Sequence, residues 1–207
     1  GSRIDVAGLV ASTLNVADTD WQAGNNRLSN SLACCNQAAV VNEGDLRTPL
    51  GGRIALVGGS GGVFNRGSID APGGQVLLAA GNSVDLIDTG APNITLRVPA
   101  PVGTVENSGS VVASSGRIDA QAAIVNQQGY MSADALGTGN GGEIVLRASQ
   151  RVLLGANSVT TAEAYRDGDG GSSSGNGGRV IVHGDASAVV RGYLYARGGE
   201  LGGNGGS

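Results

Sequence analysis

The sequence of 207 residues contains no lysine, so all thirteen basic residues are arginines. They are spread along the chain among seventeen acidic residues, and the formal net charge is −4. A protein that binds nucleic acid or an anionic membrane surface normally gathers its basic residues into a patch or stripe. The charge pattern therefore predicts no nucleic-acid partner.

Long apolar runs are also missing. No window approaches the roughly 18 apolar residues of a membrane-spanning helix, and the longest run lies near residues 76–80. We therefore expect no insertion into a membrane.

Aromatic residues make up only 3% of the chain, although 40% of its residues are hydrophobic. The core must therefore consist of Val, Ile, Leu and Ala. The chain has 38 glycines and 5 prolines, which together fall short of the roughly 25–30% typical of aperiodic low-complexity sequence. Short aliphatic runs between glycines favour narrow, stacked strands over bulky globular packing.

A six-residue element with the pattern Gly-Gly-x-[Ile/Val]-x-[Leu/Val] recurs along the chain. Copies begin at Gly51, Gly73, Gly141 and Gly177, and a degenerate copy begins at Ser115. The spacings of 22, 42, 26 and 36 residues fit a coil of two or three short strands with additional residues inserted. Gly and β-branched residues interrupt every helical window over most of the chain.

A second element places asparagine shortly before glycine, followed by an apolar residue. The asparagines are Asn42, Asn65, Asn107 and Asn126, and a copy around Gly192 lacks the asparagine. Gly and Asn tolerate positive φ and therefore suit the corners of a coil. Asparagines stacked at a corner can also hydrogen-bond from one coil to the next. We therefore predict that these four asparagines are structural corner positions.

These repeats predict an all-β protein, with residues 1–207 forming one β-solenoid segment of a longer chain. Each coil would bury its core only against its neighbours. At roughly 20–25 residues per coil, with coils ~4.8 Å apart, the chain would form about eight to ten coils. Neither end of the sequence shows a cap, which an exposed sheet edge would need.

Two segments interrupt the repeats. Residues 14–39 are predicted to be an insertion outside the solenoid that contains a short helix, because Asp and Thr near its start can cap one. Residues 165–176, rich in Gly, Asp and Ser, are predicted to be an exposed loop. Elsewhere a third short strand is assigned to residues 84–86, 152–154 and 189–190.

Three segments resemble the exoproteins of two-partner secretion, a class that includes filamentous haemagglutinin, the high-molecular-weight adhesins, haemolysins and contact-dependent inhibition toxins. They are residues 8–16 (GLVASTLNV), 38–44 (AAVVNEG) and 76–84 (VLLAAGNSV). They are similar to the secretion domain and first repeats of that class, and the resemblance extends over nearly the whole chain.

The resemblance implies a right-handed parallel β-helix. It also implies export to the medium or the bacterial cell surface through a dedicated outer-membrane transporter, which would recognise a region at or before the N-terminus. A ligand on a host cell or a neighbouring cell would be a further partner. The Asn-Pro-Asn-Gly signature expected upstream of residues 8–16 is absent, as is a signal peptide, so we expect the natural N-terminus to precede residue 1.

Cys34 and Cys35 are the only cysteines and are not expected of the family. Secretion favours a disulfide, but a bond between neighbours closes a strained ring. A bridge to another chain, a bridge to sequence outside this one, and free thiols remain alternatives. A metal site is disfavoured because only one histidine, His183, is present, and no nucleophile motif accompanies it.

Carboxylates suggest two further sites. Asp167 and Asp169, with Glu163 nearby, lack the ligand pattern of a calcium loop and are interpreted as a solvated turn. Asp5, Asp70 and Asp119 each follow an isoleucine, so strand alternation predicts an outward acidic stripe. Polysaccharide-cleaving β-helix enzymes carry carboxylates on such a face. These three recur too regularly for a specialised acid–base pair, which favours a solvent-facing role.

The sequence thus predicts no catalytic residue, no cofactor and no metal, and we expect that the protein is not an enzyme. We predict a rod or adhesin segment of a secreted, fibre-forming exoprotein, whose first coils template the folding of later coils outside the cell. The alternatives are the stalk of a contact-dependent toxin or haemolysin, a polysaccharide-active β-helix enzyme, and a haem-scavenging exoprotein.

Overall fold

The computed structural model describes residues 2–29, 37–88, 94–164 and 174–207. These ranges contain twenty-one strands and one short helix. In chain order the elements are β1 (Arg3–Asp5), β2 (Gly8–Ser12), β3 (Asn15–Val16), α1 (Asp18–Gln22), β4 (Arg27–Ser29), β5 (Val40–Asn42), β6 (Asp45–Arg47), β7 (Arg53–Gly58), β8 (Val63–Asn65), β9 (Ser68–Asp70), β10 (Gln75–Ala80), β11 (Ser83–Asp88), β12 (Ile94–Arg97), β13 (Thr104–Asn107), β14 (Ser110–Val112), β15 (Arg117–Gln127), β16 (Tyr130–Ser132), β17 (Glu143–Leu154), β18 (Val159–Thr161), β19 (Arg179–Gly184), β20 (Ser187–Val190) and β21 (Tyr193–Tyr195).

The strands wind into stacked coils. In one coil β7, β8 and β9 follow one another, and β10 then lies beside β7 and begins the next coil. β9 and the equivalent strands of the other coils form the seven-stranded sheet A, in the order β1-β6-β9-β14-β16-β18-β21. The other strands of the coils form the ten-stranded sheet B. The strand pairs described in both sheets are parallel. The predicted all-β architecture with stacked parallel strands is confirmed, and the right-handed sense of the coil stays a prediction.

The Gly-Gly elements lie side by side in sheet B. They begin β7, β10, β15, β17 and β19, which pair in register from coil to coil. Alternation turns the first aliphatic residue of each element into the solenoid. Burial of such a side chain stabilises the fold by about 1.5–3 kcal/mol. These residues form one column: Ile54, Val76, Ile118, Ile144 and Val180.

The second repeat element supplies the facing column in sheet A. Leu46, Ile69, Val111 and Met131 are in register and buried. Thr160 continues the column, and its buried hydroxyl has no hydrogen-bond partner within the described part of the chain. The two columns form the core that holds neighbouring coils together.

Close stacking at the corners requires glycine in the second position of the Gly-Gly element. A Cβ atom on Gly74 would lie 1.9 Å from the backbone oxygen of Gly52, and one on Gly142 would lie 2.1 Å from that of Gly116. No side chain fits at such distances, so these positions set how closely the coils approach.

The number of coils is smaller than expected. Sheet A receives one strand from each coil and has seven strands among the described residues, fewer than the eight to ten coils estimated from the length. The chain leaves the solenoid between β2 and β5 and again between β10 and β13. The estimate was too high because it was based on the full chain length, which includes the residues of both excursions.

Four strands from these excursions form an antiparallel sheet, sheet C, in the order β12-β11-β4-β3. Residues 84–86 lie in β11 and pair with β4 and β12, so their assignment to a coil was wrong. Val84 and Leu86 alternate with a polar residue, and this pattern is the same for a strand in a coil and for a strand in sheet C. Sheet C packs on the outer face of sheet B in a second core of Leu28, Val84, Leu86, Leu96, Ala55, Val57, Leu77 and Ala79.

The helix α1 lies within residues 14–39, the segment expected to contain a short helix. Residues 30–36 of that segment, and residues 165–173 of the predicted loop at 165–176, lie outside the described residues. Across the described ranges, no helix has both the length and the apolar character needed to span a membrane.

Candidate functional site: a buried amide ladder and a covered sheet face

Asparagines end three strands at the same corner of the solenoid. Asn42, Asn65 and Asn107 are the last residues of β5, β8 and β13, are in register, and are buried. Each lies two residues after an inward-facing valine, so alternation turns its amide inward as well. A polar group in this position needs a partner, because the coil shields it from water.

The partner of each amide is the amide of the next coil. Asn42 Nδ2 donates to Asn65 Oδ1 at 2.8 Å, and Asn65 Nδ2 donates to Asn107 Oδ1 at 2.7 Å. Asn65 Nδ2 also donates to the carbonyl oxygen of Ser110 at 3.1 Å. We call this row of side chains, which Gln127 completes, the amide ladder.

Gln127, and not Asn126, is the fourth member of the amide ladder. Gln127 pairs in register with Asn107 and accepts a hydrogen bond from its Nδ2 at 2.7 Å. Gln127 Nε2 then donates to the carbonyl oxygens of Gly129 and Val159 at 3.0 and 3.1 Å. The structure therefore places Asn126 one residue before the ladder. The sequence carried the signal, because each ladder residue lies two positions before its glycine and Asn126 lies three before Gly129.

The amide ladder is suited to fixing register. A slip of one residue between two coils would set an amide against an outward-facing position and leave buried donors and acceptors unpaired. Its members are neutral and do not titrate, so they offer no acid–base chemistry.

The three aspartates of the predicted stripe do not lie together. Asp5 and Asp70 lie in sheet A on either side of Arg47, in register with it. Asp119 lies on the outer face of sheet B and is only 2% exposed. The expected outward acidic stripe is therefore wrong. Alternation distinguishes inside from outside but does not show that another layer covers an outer face.

The covered face changes the chemistry of Asp119. Burial raises the pKa of its carboxyl above the usual range, although hydrogen bonds from Gln121 Nε2 and the Arg117 guanidinium, both at 3.1 Å, act to lower it. Gln121 Nε2 also donates to the Leu96 carbonyl of sheet C at 3.1 Å. Asp119 thus belongs to the contact between sheets B and C.

The charged side chains beside Asp119 pair along the stack. The Glu143 carboxylate accepts a hydrogen bond from Arg117, and its other oxygen lies 3.5 Å from Arg179. Arg117 therefore engages the carboxylates of both Asp119 and Glu143. A guanidinium between two carboxylates is typical of a structural ion-pair network.

His183 lies on β19, and its Nε2 is 3.0 Å from Asp185 Oδ1 on the exposed surface. Cys34 and Cys35 lie outside the described residues, as do Asp167 and Asp169. Their disulfide and solvated-turn interpretations stay predictions. Within the described ranges, no three His, Cys, Asp or Glu side chains converge in a way that could hold a metal ion.

The chain is thus an all-β solenoid of stacked parallel coils with an antiparallel sheet packed on one outer face. The chain is similar in structure to the HMW1 secretion domain from Haemophilus influenzae, with a TM-score of 0.67 and 25% sequence identity. The match covers 93% of this chain and 52% of the other, so the chain spans about half the length of the structure it matches. The resemblance to two-partner secretion exoproteins is thereby confirmed. At this level the fold indicates a secreted exoprotein.

No protein-family model matches the chain, and no characterised protein matches it by sequence.

Proposed function

We propose that the chain is the secretion-domain end and first coils of a rod-forming adhesin, exported by two-partner secretion to the bacterial surface. The observation that carries the proposal is the structural match to the HMW1 secretion domain over 93% of the chain. The role is structural and not enzymatic, which is supported by the neutral amide ladder and by the engagement of Asp119 and Glu143 with Arg117.

In this proposal the first coils act as a template outside the cell. A completed coil presents unpaired strand edges, together with a ladder amide set in one orientation. The next coil gains backbone hydrogen bonds and a buried column of aliphatic side chains only when it is in register. Register errors are disfavoured because they would leave ladder amides unpaired inside the solenoid.

The partner in export is the outer-membrane transporter of the two-partner system, which would recognise a region at or before the N-terminus. Residues 8–16, which carry part of the family resemblance, form β2 and β3 at this end of the described structure. The surface of the first coil is therefore the part of the chain that we expect the transporter to contact.

The test follows the native product in producing cells with and without the gene for the paired transporter. We expect the chain on the surface or in the medium only when the transporter is present. Immunoblots of the surface, medium and periplasmic fractions measure its location. Equal export from cells without the transporter would overturn the proposal.

A further inference from the structure

The outer face of sheet A changes character along the stack. On β1 and β6 it carries the charged side chains of Arg3, Asp5, Asp45 and Arg47. On β16, β18 and β21 the same columns carry Tyr130, Val159, Tyr193, Ser132, Thr161 and Tyr195. The chain has only four tyrosines, one phenylalanine and one tryptophan, so half of its aromatic residues lie on this face.

Two of these tyrosines form an ordered stack with an arginine. The rings of Tyr193 and Tyr195 lie 6.2 Å apart and within 15° of parallel. The Arg197 guanidinium carbon lies 4.7 Å from the centre of the Tyr195 ring. Tyr193 is nevertheless 57% exposed and Tyr130 is 37% exposed. Large rings that are fixed in place yet accessible to solvent are typical of binding surfaces.

Polar groups beside the rings are held in fixed positions. Arg197 Nη2 donates to Glu163 Oε2 at 2.9 Å. The Thr161 hydroxyl and the Glu163 backbone N–H each donate to Asp134 Oδ1 at 2.7 Å, and the Ser132 hydroxyl donates to Asp134 Oδ2 at 2.9 Å. A carboxylate and a guanidinium in fixed orientation can exchange paired hydrogen bonds with neighbouring hydroxyl groups of a ligand.

We propose that this aromatic half of sheet A binds a neutral polysaccharide lying along the rod. The apolar face of a pyranose ring carries weakly positive C–H groups, which are attracted to the negative face of a tyrosine ring. Tyr130 and Tyr193 occupy the same column two strands apart, a distance of ~10 Å. That distance is close to the length of a disaccharide, so successive sugars of one kind could meet successive rings.

The charges favour a neutral glycan over other polymers. Glu163 already pairs with Arg197, and Asp134 lies beside them, so an anionic glycan or nucleic acid would meet no excess positive charge. The rings stand on the outer face of a sheet, whereas proline-rich peptides dock in aromatic-lined grooves. Binding to this face does not depend on how the chain is exported.

The test is affinity electrophoresis of the purified 207-residue chain in native gels containing hydroxyethylcellulose, galactomannan or dextran. We expect at least one of these neutral polymers to retard the chain, with little change when salt is added. The variant Tyr193→Ala should bind about tenfold more weakly, whereas Tyr193→Phe should keep most of the binding because the ring remains. Tyr130→Ala, on the internal strand β16, should weaken binding as well.

Phe64→Ala is the matched control, because it removes a ring that also has an arginine above it, Arg66 at 6.0 Å, but lies on β8 in sheet B. It should bind like the unaltered chain, and circular dichroism should show that every variant is folded. The proposal is overturned if none of the three polymers retards the chain, or if Tyr193→Ala and Tyr130→Ala bind as Phe64→Ala does. Retardation only by heparin, or binding only to poly-L-proline, would overturn it too.

Discussion

The side chain of Asn65 is hydrogen-bonded to the ladder amides of both neighbouring coils. Its Oδ1 accepts from Asn42 and its Nδ2 donates to Asn107. All three residues are buried. Removing the central amide takes the 2.8 Å partner from Asn42 Nδ2, which keeps only its 3.4 Å contact with the Ser68 carbonyl, and leaves Asn107 Oδ1 without its donor.

We expect Asn65→Ala to lower the free energy of unfolding by about 2–3 kcal/mol, since each unsatisfied buried group is costly. Urea unfolding followed by circular dichroism measures the change. Asn126→Ala is the control, because Asn126 Oδ1 has no hydrogen-bond partner among the described residues. It should cost less than about 1 kcal/mol. Equal losses in the two variants would show that the ladder adds nothing to stability.

Asp119 predicts a dependence of stability on pH. Because burial raises its pKa in the folded state, the folded chain holds this proton up to a higher pH than the unfolded chain does. The resulting stabilisation is complete below pH ~3.9 and is lost as the pH rises through the folded-state pKa.

The difference in unfolding free energy, unaltered chain minus Asp119→Asn, should therefore fall as the pH rises from about 4. Using the difference cancels the titration of all other groups that the two proteins share. Urea unfolding between pH 3 and 8 measures it. A difference that stays constant or rises with pH would contradict the expected direction.

Among individual residues, the sequence predicted some of the structurally important positions and missed others. Asn42, Asn65 and Asn107 were visible because asparagine and glycine recur together at a fixed spacing. Gln127 was not predicted because the repeat element was defined by asparagine, although any side-chain amide can fill the place. Asp119 could not be interpreted correctly, because its burial depends on sheet C, which belongs to a different part of the chain.

Coil stacking depends on the second glycine of the Gly-Gly element, which immediately precedes a strand of sheet B. We expect Gly74→Ala to cost about 3 kcal/mol or more, because the new Cβ would lie 1.9 Å from the Gly52 oxygen. Thermal unfolding measures the loss. Gly139→Ala is the control, since the nearest atom to its new Cβ is 3.8 Å away. Similar stabilities in the two variants would refute this account of the corners.

Sheet C is attached to the solenoid through Gln75. This buried side chain accepts from the Ile94 N–H at 2.6 Å and donates to the Ile94 carbonyl at 3.2 Å. We expect Gln75→Ala to raise amide hydrogen exchange in β12 by about tenfold or more, while exchange in β10 changes little. Gln121→Ala removes one bond to Leu96 and should have a smaller effect. Unchanged exchange in β12 would mean that apolar packing alone holds the sheet.

The Gly-Gly repeat predicted the strands of sheet B because the same pattern must recur wherever coils stack in register. The second sheet was not predictable by this means. Its strands β4 and β11 are 56 residues apart in the chain, measured between Leu28 and its partner in register, Val84. That is a pairing of segments with no repeat in common. The alternation in residues 84–86 identifies a strand and does not identify its neighbours.

In the 207-residue chain, studied by itself, stability should be highest in the middle of the stack. The amide ladder joins the coils from β5 to β15, and the column then continues with Leu154. In the coil formed by β19, β20 and β21, the inward side chains of Val182 and Leu194 are still partly exposed. Because repeat stability depends on each neighbour, the coils should open separately.

Native-state hydrogen exchange should therefore show the slowest amides in β10, β13 and β15. Exchange in β19–β21 should be faster by roughly two orders of magnitude, because local opening there exposes fewer buried contacts. Exchange measured by mass spectrometry of peptic fragments resolves these strands. Uniform protection from β2 to β21 would show that the solenoid opens only as a single cooperative unit.

The amides of the ladder all point the same way. The NH2 groups of all four members face the following coil, and the amide oxygens of Asn65, Asn107 and Gln127 face the preceding one. Turning one amide over would bring two oxygens together on one side and two NH2 groups together on the other. The NH2 groups of Asn65, Asn107 and Gln127 also donate to backbone carbonyls of the following coil, so the row keeps a single orientation. Aligned dipoles reinforce one another in a shielded interior. Uncharged side chains therefore give the solenoid a net dipole along its stacking axis.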